Sequence, residues 1–460
     1  MSGGRSALLS PLRHSAFRNL TIGRTLTHLA NAMAPVLLAF AVLDLTGSVT
    51  TLGLVVGARS IANVALVLFG GLLADRLPRA VILQGASVGA AAAQAAVAAS
   101  LLLGFASVPL LVGLSVANGA MAALSMPATA ALVPQTAPPD ELRGANAVAR
   151  MGVNLGTISG ASLGGLLAAV LSPGRGMAFN TVAFLCAGVA YHRVRLPRRP
   201  RADGAAALRP LAELREGWRE FTSRTWVWVV VAQFFVVNAV ASGAIQVLGP
   251  VIADDTIGRT AWGFVLSAQM IGALVAGFFV ARSRSRHILR IGVAVIALDA
   301  LPLVAMAEAA PLVLLIAAMF VNGMALEQFG VAWDLSLQEN IPADRLARVY
   351  SYDILGSVLA LPLGEMAAGP LAERFGVRAT LLGGVALSVA ATCAALASRE
   401  VRTLTVRAGG PPMAGAAGTT GAATGSGTVA GPGPGPGPGP GPGPGPGPGP
   451  GKSLAPPAEG

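Results

Sequence analysis

Charged side chains are scarce in this chain. They account for 12% of its 460 residues, whereas hydrophobic residues account for 54%. The mean hydropathy of +0.67 is too high for a soluble domain of ordinary composition. A chain so poor in charge excludes a soluble globular protein and predicts helices that lie in a lipid bilayer.

Rare residues exclude several kinds of chemistry. The two cysteines, Cys186 and Cys393, lie in separate apolar stretches and exclude a disulfide framework. The four histidines are scattered over different segments, so neither a metal site nor a catalytic cluster is indicated. The single lysine, Lys452, lacks the upstream glycine of a phosphate-binding loop, because Pro446 stands there. We therefore expect no enzyme, no cofactor, no metal and no ATP-driven pump.

Apolar stretches of about twenty residues dominate the region between residues 20 and 398. Each is long enough to cross a hydrocarbon core of about 30 Å. A polar break separates six of them from six more, which predicts an all-α membrane protein with twelve transmembrane helices in two six-helix halves. The expected spans are residues 20–43, 50–74, 80–104, 107–133, 147–171, 174–196, 226–252, 260–281, 288–307, 311–336, 348–370 and 376–398.

Basic residues are distributed unevenly between the connections. Nine arginines lie between Arg193 and Arg224, around the connection of spans 6 and 7, whereas the connections after spans 1 and 3 have no Arg or Lys. Because cytosolic loops carry the excess of basic residues, we expect this connection and both termini in the cytosol and the protein in a bacterial-type inner membrane. The net charge of +11 then reflects topology, and we expect no nucleic-acid partner.

A short motif recurs in the two halves. Residues 138–143 (PPDELR) follow span 4, and residues 342–347 (PADRLA) follow span 10. Parallel repeats of six spans place the substrate site between the halves, near the midplane. We divide the chain into a cytosolic N-terminus (1–19), a first half (20–196), a cytosolic linker with an amphipathic helix (197–225), a second half (226–398) and a disordered Gly/Pro-rich cytosolic tail (399–460).

Two glycine-containing motifs lie in the first half. Residues 71–79 (GLLADRLPR) join spans 2 and 3 and resemble the signature loop of the major facilitator superfamily, with Pro78 in place of its second glycine. Residues 156–165 (GTISGASLGG) in span 5 are similar to the antiporter motif of exporters in that superfamily, with Ala161 in place of the usual proline. A chance charged turn and an ordinary small-residue seam are the alternative interpretations.

These motifs assign candidate roles to eight residues. The loop is expected to form a conformational latch, and its candidate residues are Gly71, Asp75, Arg76 and Arg79. Glycines in span 5 are expected to form a moving interface with the opposite half, and these are Gly156, Gly160, Gly164 and Gly165.

The resemblance extends over about residues 15–400. With residues 44–48 (DLTGS) after span 1 and 214–218 (LREGW) before span 7, the chain looks like the branch that contains enterobactin-type and macrolide exporters. This resemblance implies the major facilitator fold and export of a small amphipathic molecule, such as a drug, siderophore or other natural product, in exchange for protons. An importer of the same fold and a non-transporting receptor or scaffold remain alternatives. The expected partners are the substrate, protons and lipid, and we expect a monomer.

Polar residues inside the spans are the candidates for the transport path, because a charge stranded at the bilayer centre costs about 2.5–3.5 kcal/mol or more. Glu327 in span 10 and His28 in span 1 are the proton-coupling candidates. A structural ion pair of Glu327, for example with Arg24, and a packing role for His28 are the alternatives. We expect Asp334 to be solvated. The cavity candidates are Arg24, Asn31, Ser115, Asn118, Asn238, Ser242 and Gln246.

Arg59 in span 2 and Glu365 in span 11 lie at similar depths. The superfamily resemblance implies that these spans face each other across the two halves, so we expect Arg59 and Glu365 to pair. Direct binding of an anionic substrate by Arg59 is the alternative.

The loop motif generates a first prediction. Asp75→Asn removes the carboxylate that ties the helix ends together in one conformational state, so transport turnover should fall. Folding should suffer less, because the charge lies at the membrane surface. Transport rates at matched expression test this, and unchanged turnover would leave the motif only a topological role.

Overall fold

The computed structural model describes residues 10–74, 79–130, 132–138, 141–194, 218–219, 221–280 and 286–405. Every regular element in these ranges is helical, which confirms the predicted all-α fold. Of the predicted disordered tail, Arg399–Thr403 form a short helix in which Val401 is buried, so the disorder cannot begin at residue 399. The rest of the tail from residue 406, most of the linker, and latch residues Asp75 and Arg76 lie outside the described residues.

In the described ranges twelve long helices follow one another, at the positions that hydropathy predicts. Eleven helices of the described chain are long and apolar enough to cross a membrane, and α6, which contains Arg175 and Asn180, is not among them. The helices are α1 (Ser15–Thr46), α2 (Val49–Ala74), α3 (Arg79–Leu102), α4 (Val108–Ala130), α5 (Leu142–Val170), α6 (Pro173–His192), α7 (Thr225–Asp255), α8 (Arg259–Val280), α9 (Ile288–Ala307), α10 (Leu312–Asn340), α11 (Ala343–Phe375) and α12 (Val377–Ala397).

The two halves repeat one packing pattern. In the first half α1 packs against α5, α2 against α4, and α3 against α6, and in the second half α7 packs against α11, α8 against α10, and α9 against α12. The halves meet where α2 packs against α11 and where α5 packs against α8. We call the end at which α1 begins and α12 ends the termini end, and the opposite end, where α1 gives way to α2, the far end.

Two helices contain short irregular segments. Residues Gly243–Leu248 of α7 form a π-helix, and Ile296–Asp299 of α9 form a 3₁₀ turn. A π segment inserts extra backbone into a turn and rotates the side chains that follow. Gln246 lies within this segment and is half-buried, so it does not continue the stripe of Asn238 and Ser242 that a regular helix predicts.

Glycines let helices of the same half approach each other closely. A Cβ atom added at Gly156 or Gly160 would overlap the backbone of α1 at Thr25 or Leu29, and one at Gly164 would lie 3.1 Å from the carbonyl oxygen of Met33. Helices that pack through such small residues bring their backbones into contact.

The expectation that these span-5 glycines face the opposite half is therefore wrong for three of the four. Gly156, Gly160 and Gly164 share a stripe that faces α1, because their spacing of four returns each to the same helix face. Gly165 lies one position further round and faces Gly263 at the start of α8.

Packing of α1 on α5 generates a second prediction. Gly160→Leu should lower the free energy of unfolding by about 1–3 kcal/mol, because the side chain must displace the backbone of α1. Gly113→Leu is the matched control, since no atom lies within 4 Å of its added Cβ. Melting curves of the purified variants measure the difference, and equal destabilisation of both would contradict the proposed steric cause.

Candidate functional site

An arginine joins the two halves at the far end. Arg259, the first residue of α8, donates from Nη1 to Oδ2 of Asp44 over 2.9 Å, and from Nε to Oδ1 of Asp254 over 2.7 Å. Its guanidinium also lies 4.9 Å from the ring centroid of Phe40. We call Asp44, Asp254 and Arg259 the Arg259 network. Because Asp44 belongs to the first half and Arg259 to the second, this charge-assisted network holds the far end closed.

A glutamate joins α11 to the start of α2 at the same end. Glu373 accepts a hydrogen bond from the backbone N–H of Thr50 over 3.3 Å and from Oγ of Ser48 over 3.5 Å. A carboxylate beside a helix N-terminus satisfies backbone donors and interacts favourably with the helix dipole. Gly369 allows this approach, because its added Cβ would lie 2.5 Å from Cα of Thr50.

Hydroxyl groups connect the halves nearer the middle. Oγ of Ser162 in α5 lies 2.7 Å from Oγ of Ser267 in α8, and Ser267 donates to the carbonyl oxygen of Ile158 over 2.9 Å. Together with the Arg259 network and Glu373, these contacts lie between the far end and the middle of the bundle.

Arg59 and Glu365 lie on the facing helices α2 and α11. Arg59 donates from Nε to Oδ1 of Asn118 over 3.1 Å, and Glu365, which is buried, accepts from Oγ of Ser242 over 2.7 Å. The two charges also act on each other electrostatically. The structure therefore brings the expected pair together, and its contribution to the conformational cycle stays a prediction.

Several cavity candidates contact residues of their own half. Ser115 and Asn118 line a small cavity of the first half with Arg59 and Gln94. Asn238 donates to the carbonyl oxygen of Ser357 in α11 over 3.4 Å. That these polar faces also line the path between the halves stays a prediction.

Charged residues of both halves approach each other in the half of the bundle nearer the termini end. Thr25 of α1 contacts Gly152 and Gly156 of α5, which brings Arg24 close to Arg150. Arg150 also interacts with Glu327 of α10, across the two halves.

The arginine that interacts with Glu327 is therefore Arg150. Arg24 was the example partner in the alternative interpretation of Glu327 as part of a structural ion pair. His28 is buried beside Arg24, and Asn31 lies half-buried further along α1.

Glu327 is half-buried in the middle of α10, beside Gly277 of α8. The neighbouring carboxylate, Asp334, is 3% exposed and accepts a hydrogen bond from Oη of Tyr350 over 3.1 Å. The expectation that Asp334 is solvated is wrong, because α10 extends to Asn340 and α11 folds back over it.

Sequence reasoning missed three charged residues. Besides Arg150, Asp299 accepts from Nδ2 of Asn322 over 2.6 Å, and Asp353 accepts from Nε1 of Trp333 over 2.9 Å. Each is an ionisable residue in an apolar stretch, and this signal alone was sufficient to find them. Of the latch candidates, Gly71 belongs to α2 and Arg79 begins α3.

Comparisons with known proteins agree with this architecture. A family model described as Major Facilitator Superfamily matches residues 20–360. The chain is 30% identical over 248 residues to the multidrug efflux pump Tap of Mycolicibacterium fortuitum, which covers 52% of this chain and 59% of that protein. The chain thus spans about three fifths of the length of Tap.

Two further proteins match over most of their length. The chain is 26% identical over 367 residues to the uncharacterized MFS-type transporter y4rN of Sinorhizobium fredii (strain NBRC 101917 / NGR234), covering 76% of this chain and 87% of that protein. A solved structure of a D-xylose-proton symporter superposes with a TM-score of 0.64 at 15% identity, covering 86% of this chain and 98% of that one. At this identity the similarity shows the fold alone.

The Arg259 network generates a third prediction. Asp44→Asn and Arg259→Gln should each shift the conformational equilibrium towards an open far end. The shift in free energy should be only roughly 1 kcal/mol, because the network is partly exposed to solvent. Spin labels at Leu103→Cys and Val313→Cys, two exposed far-end positions in opposite halves, report the distance between the halves. Both changes should increase the population of long distances, and combined they should add less than the sum of their separate effects.

Arg378→Gln provides the matched control. Arg378 forms a far-end ion pair with Glu308 inside the second half, and its side chain is 67% exposed. Its removal should leave the distances unchanged. If Asp44→Asn leaves them unchanged as well, the Arg259 network does not hold the halves together.

Proposed function

The chain belongs to the Major Facilitator Superfamily, and from that premise we propose that it exports small amphipathic molecules in exchange for protons. It is a multi-pass membrane transporter and not an enzyme. The finer assignment, to export of a drug, siderophore or other natural product, is supported by the similarity to an efflux pump and by the charged groups between the halves.

The proposed topology places the termini end in the cytosol. The arginine-rich connection between α6 and α7 belongs to that end, and basic loops stay on the cytosolic side of an inner membrane. The far end then faces outward. With the Arg259 network and Glu373 joining the halves there, this conformation is the one that receives substrate from the cytosol, and the transporter acts as a monomer.

The attraction between Arg150 and Glu327 carries the proposal of proton exchange. Arg150 belongs to the first half and Glu327 to the second, so their attraction draws the halves together at the cytosolic end. An ionised Glu327 therefore favours the outward-facing state. A proton taken up from outside cancels this attraction and favours return to the inward-facing state, where the proton is released.

This order of events is antiport. Glu327 is ionised during the outward transition, in which the substrate is also carried. It is protonated during the return transition. His28 is the weaker proton carrier, because a positive charge there would be repelled by the adjacent Arg24. In this cycle, the motif of residues 71–79 acts as a latch at the cytosolic ends of α2 and α3.

An importer is the second candidate, because the same fold occurs in a D-xylose-proton symporter. The two directions predict opposite results in inside-out membrane vesicles. An exporter accumulates its substrate in such vesicles when they are energised, whereas a proton-coupled importer does not. A receptor or scaffold would move no protons with any ligand.

Glu327→Gln provides the fourth prediction. The amide resembles the protonated carboxyl, so uphill accumulation in energised inside-out vesicles should be abolished for every compound that the wild type accumulates in a screen. Exchange of substrate without a proton gradient should survive, because binding does not require the proton. Glu308→Gln, which changes an exposed carboxylate at the far end, is the control and should transport normally. Proton-driven accumulation by Glu327→Gln at the wild-type rate would remove Glu327 from the mechanism.

A further inference from the structure

A small polar cavity is lined by residues of the first half. Its polar walls are Arg59 of α2, Gln94 of α3, and Ser115 and Asn118 of α4, and the remaining wall is apolar. The cavity has room for about one water molecule. The proton-exchange mechanism uses none of these four residues.

Two donors at the cavity wall have no partner. Ser115 and Asn118 are 3% and 4% exposed, and neither Oγ of Ser115 nor Nδ2 of Asn118 has a hydrogen-bond partner among the described residues. The orientation of Asn118 follows from its other atom, because Oδ1 accepts from Nε of Arg59. Leaving buried donors unsatisfied costs free energy, and a ligand that accepts their hydrogen bonds would recover it.

The charge of the residues that line the cavity indicates which kind of hydrogen-bond acceptor would bind there. Arg59 contributes a positive charge, and the other residues that line the cavity are neutral. Glu365 also acts on Arg59, from α11 in the other half. Oδ1 of Asn118 already accepts one hydrogen bond from Arg59, and the two wall atoms without a partner are the Asn118 amide donor and the Ser115 hydroxyl, which can donate. An anion only accepts, which matches walls that mainly donate.

We propose that this cavity binds a halide-sized anion, which is chloride under cellular conditions. Arg59 supplies the charge, and Ser115 Oγ and Asn118 Nδ2 supply hydrogen bonds. A halide is somewhat larger than water, and the side chains of Gln94 and Ser115 adjust to admit it. This site is independent of the transported substrate and of the direction of transport.

The anion would also act on the contact between the halves. Arg59 faces Glu365 of α11, so a chloride beside Arg59 competes for its positive charge and weakens the attraction between α2 and α11. Chloride therefore loosens the far-end closure to a degree that depends on its concentration.

Thermal unfolding of the purified full-length protein tests the site. Sodium chloride and sodium bromide are compared with sodium gluconate at equal ionic strength, so general salt effects cancel. We expect the halides to raise the melting temperature along a saturating curve. Ser115→Ala and Asn118→Leu should each increase the half-saturating chloride concentration at least about fivefold, since each removes one hydrogen bond to a charged group.

Ser125→Ala is the matched control. Ser125 lies on the same helix, and its hydroxyl donates to the carbonyl oxygen of Ala122 outside the cavity, so its chloride dependence should equal that of the wild type. Anomalous scattering from bromide in crystals of the wild type is a second measurement that requires no variant. A bromide peak between Arg59 and Ser115 supports the site. Identical melting curves in chloride and gluconate, or a cavity that holds water alone at high bromide, overturn it.

Discussion

Hydrocarbon offers no hydrogen-bond partner, so a polar side chain within this bundle is stabilised by a partner in the protein. Glu365 is satisfied by Ser242, Asp299 by Asn322, and Asp353 by Trp333. Each of these contacts joins two different helices of one half. The cost of an unpaired polar group in lipid therefore favours the packing of these helix faces against each other.

Glycines bring helix backbones together within the first half and, at Gly165 and Gly369, between the halves as well. Within the first half, glycines bring α5 against the backbone of α1, and such a dry contact has no alternative arrangement of similar energy. Between the halves, the contacts include ion pairs and hydroxyl groups that water can replace when they separate. The structure thus combines rigid halves with a reversible interface, which is the property that alternating access requires.

Opposite charges act between the halves on both sides of the midplane. At the far end, Arg259 is shared between Asp44 and Asp254, and nearer the termini end Arg150 attracts Glu327. These two interactions favour opposite conformations, because each draws the halves together on its own side of the midplane. In the proposed cycle a proton acts on the second interaction and leaves the first unchanged, so it can bias the equilibrium without unfolding either half.

The amino-acid sequence alone determined the membrane class, the positions of the twelve helices, the repeat and the family resemblance. Hydropathy and basic-residue bias depend on local composition, which a single chain displays directly. It also identified Glu327, Arg59 and Glu365 as charges in need of partners. For Arg59 and Glu365 the family resemblance already indicated the pairing, whereas the partner of Glu327 was decided by tertiary structure. Arg150 next to Glu327, the burial of Asp334 beneath Tyr350, and the orientation of Gly156 towards α1 depend on the rotation of each helix about its axis. That rotation results from packing between segments far apart in sequence, and no local pattern records it.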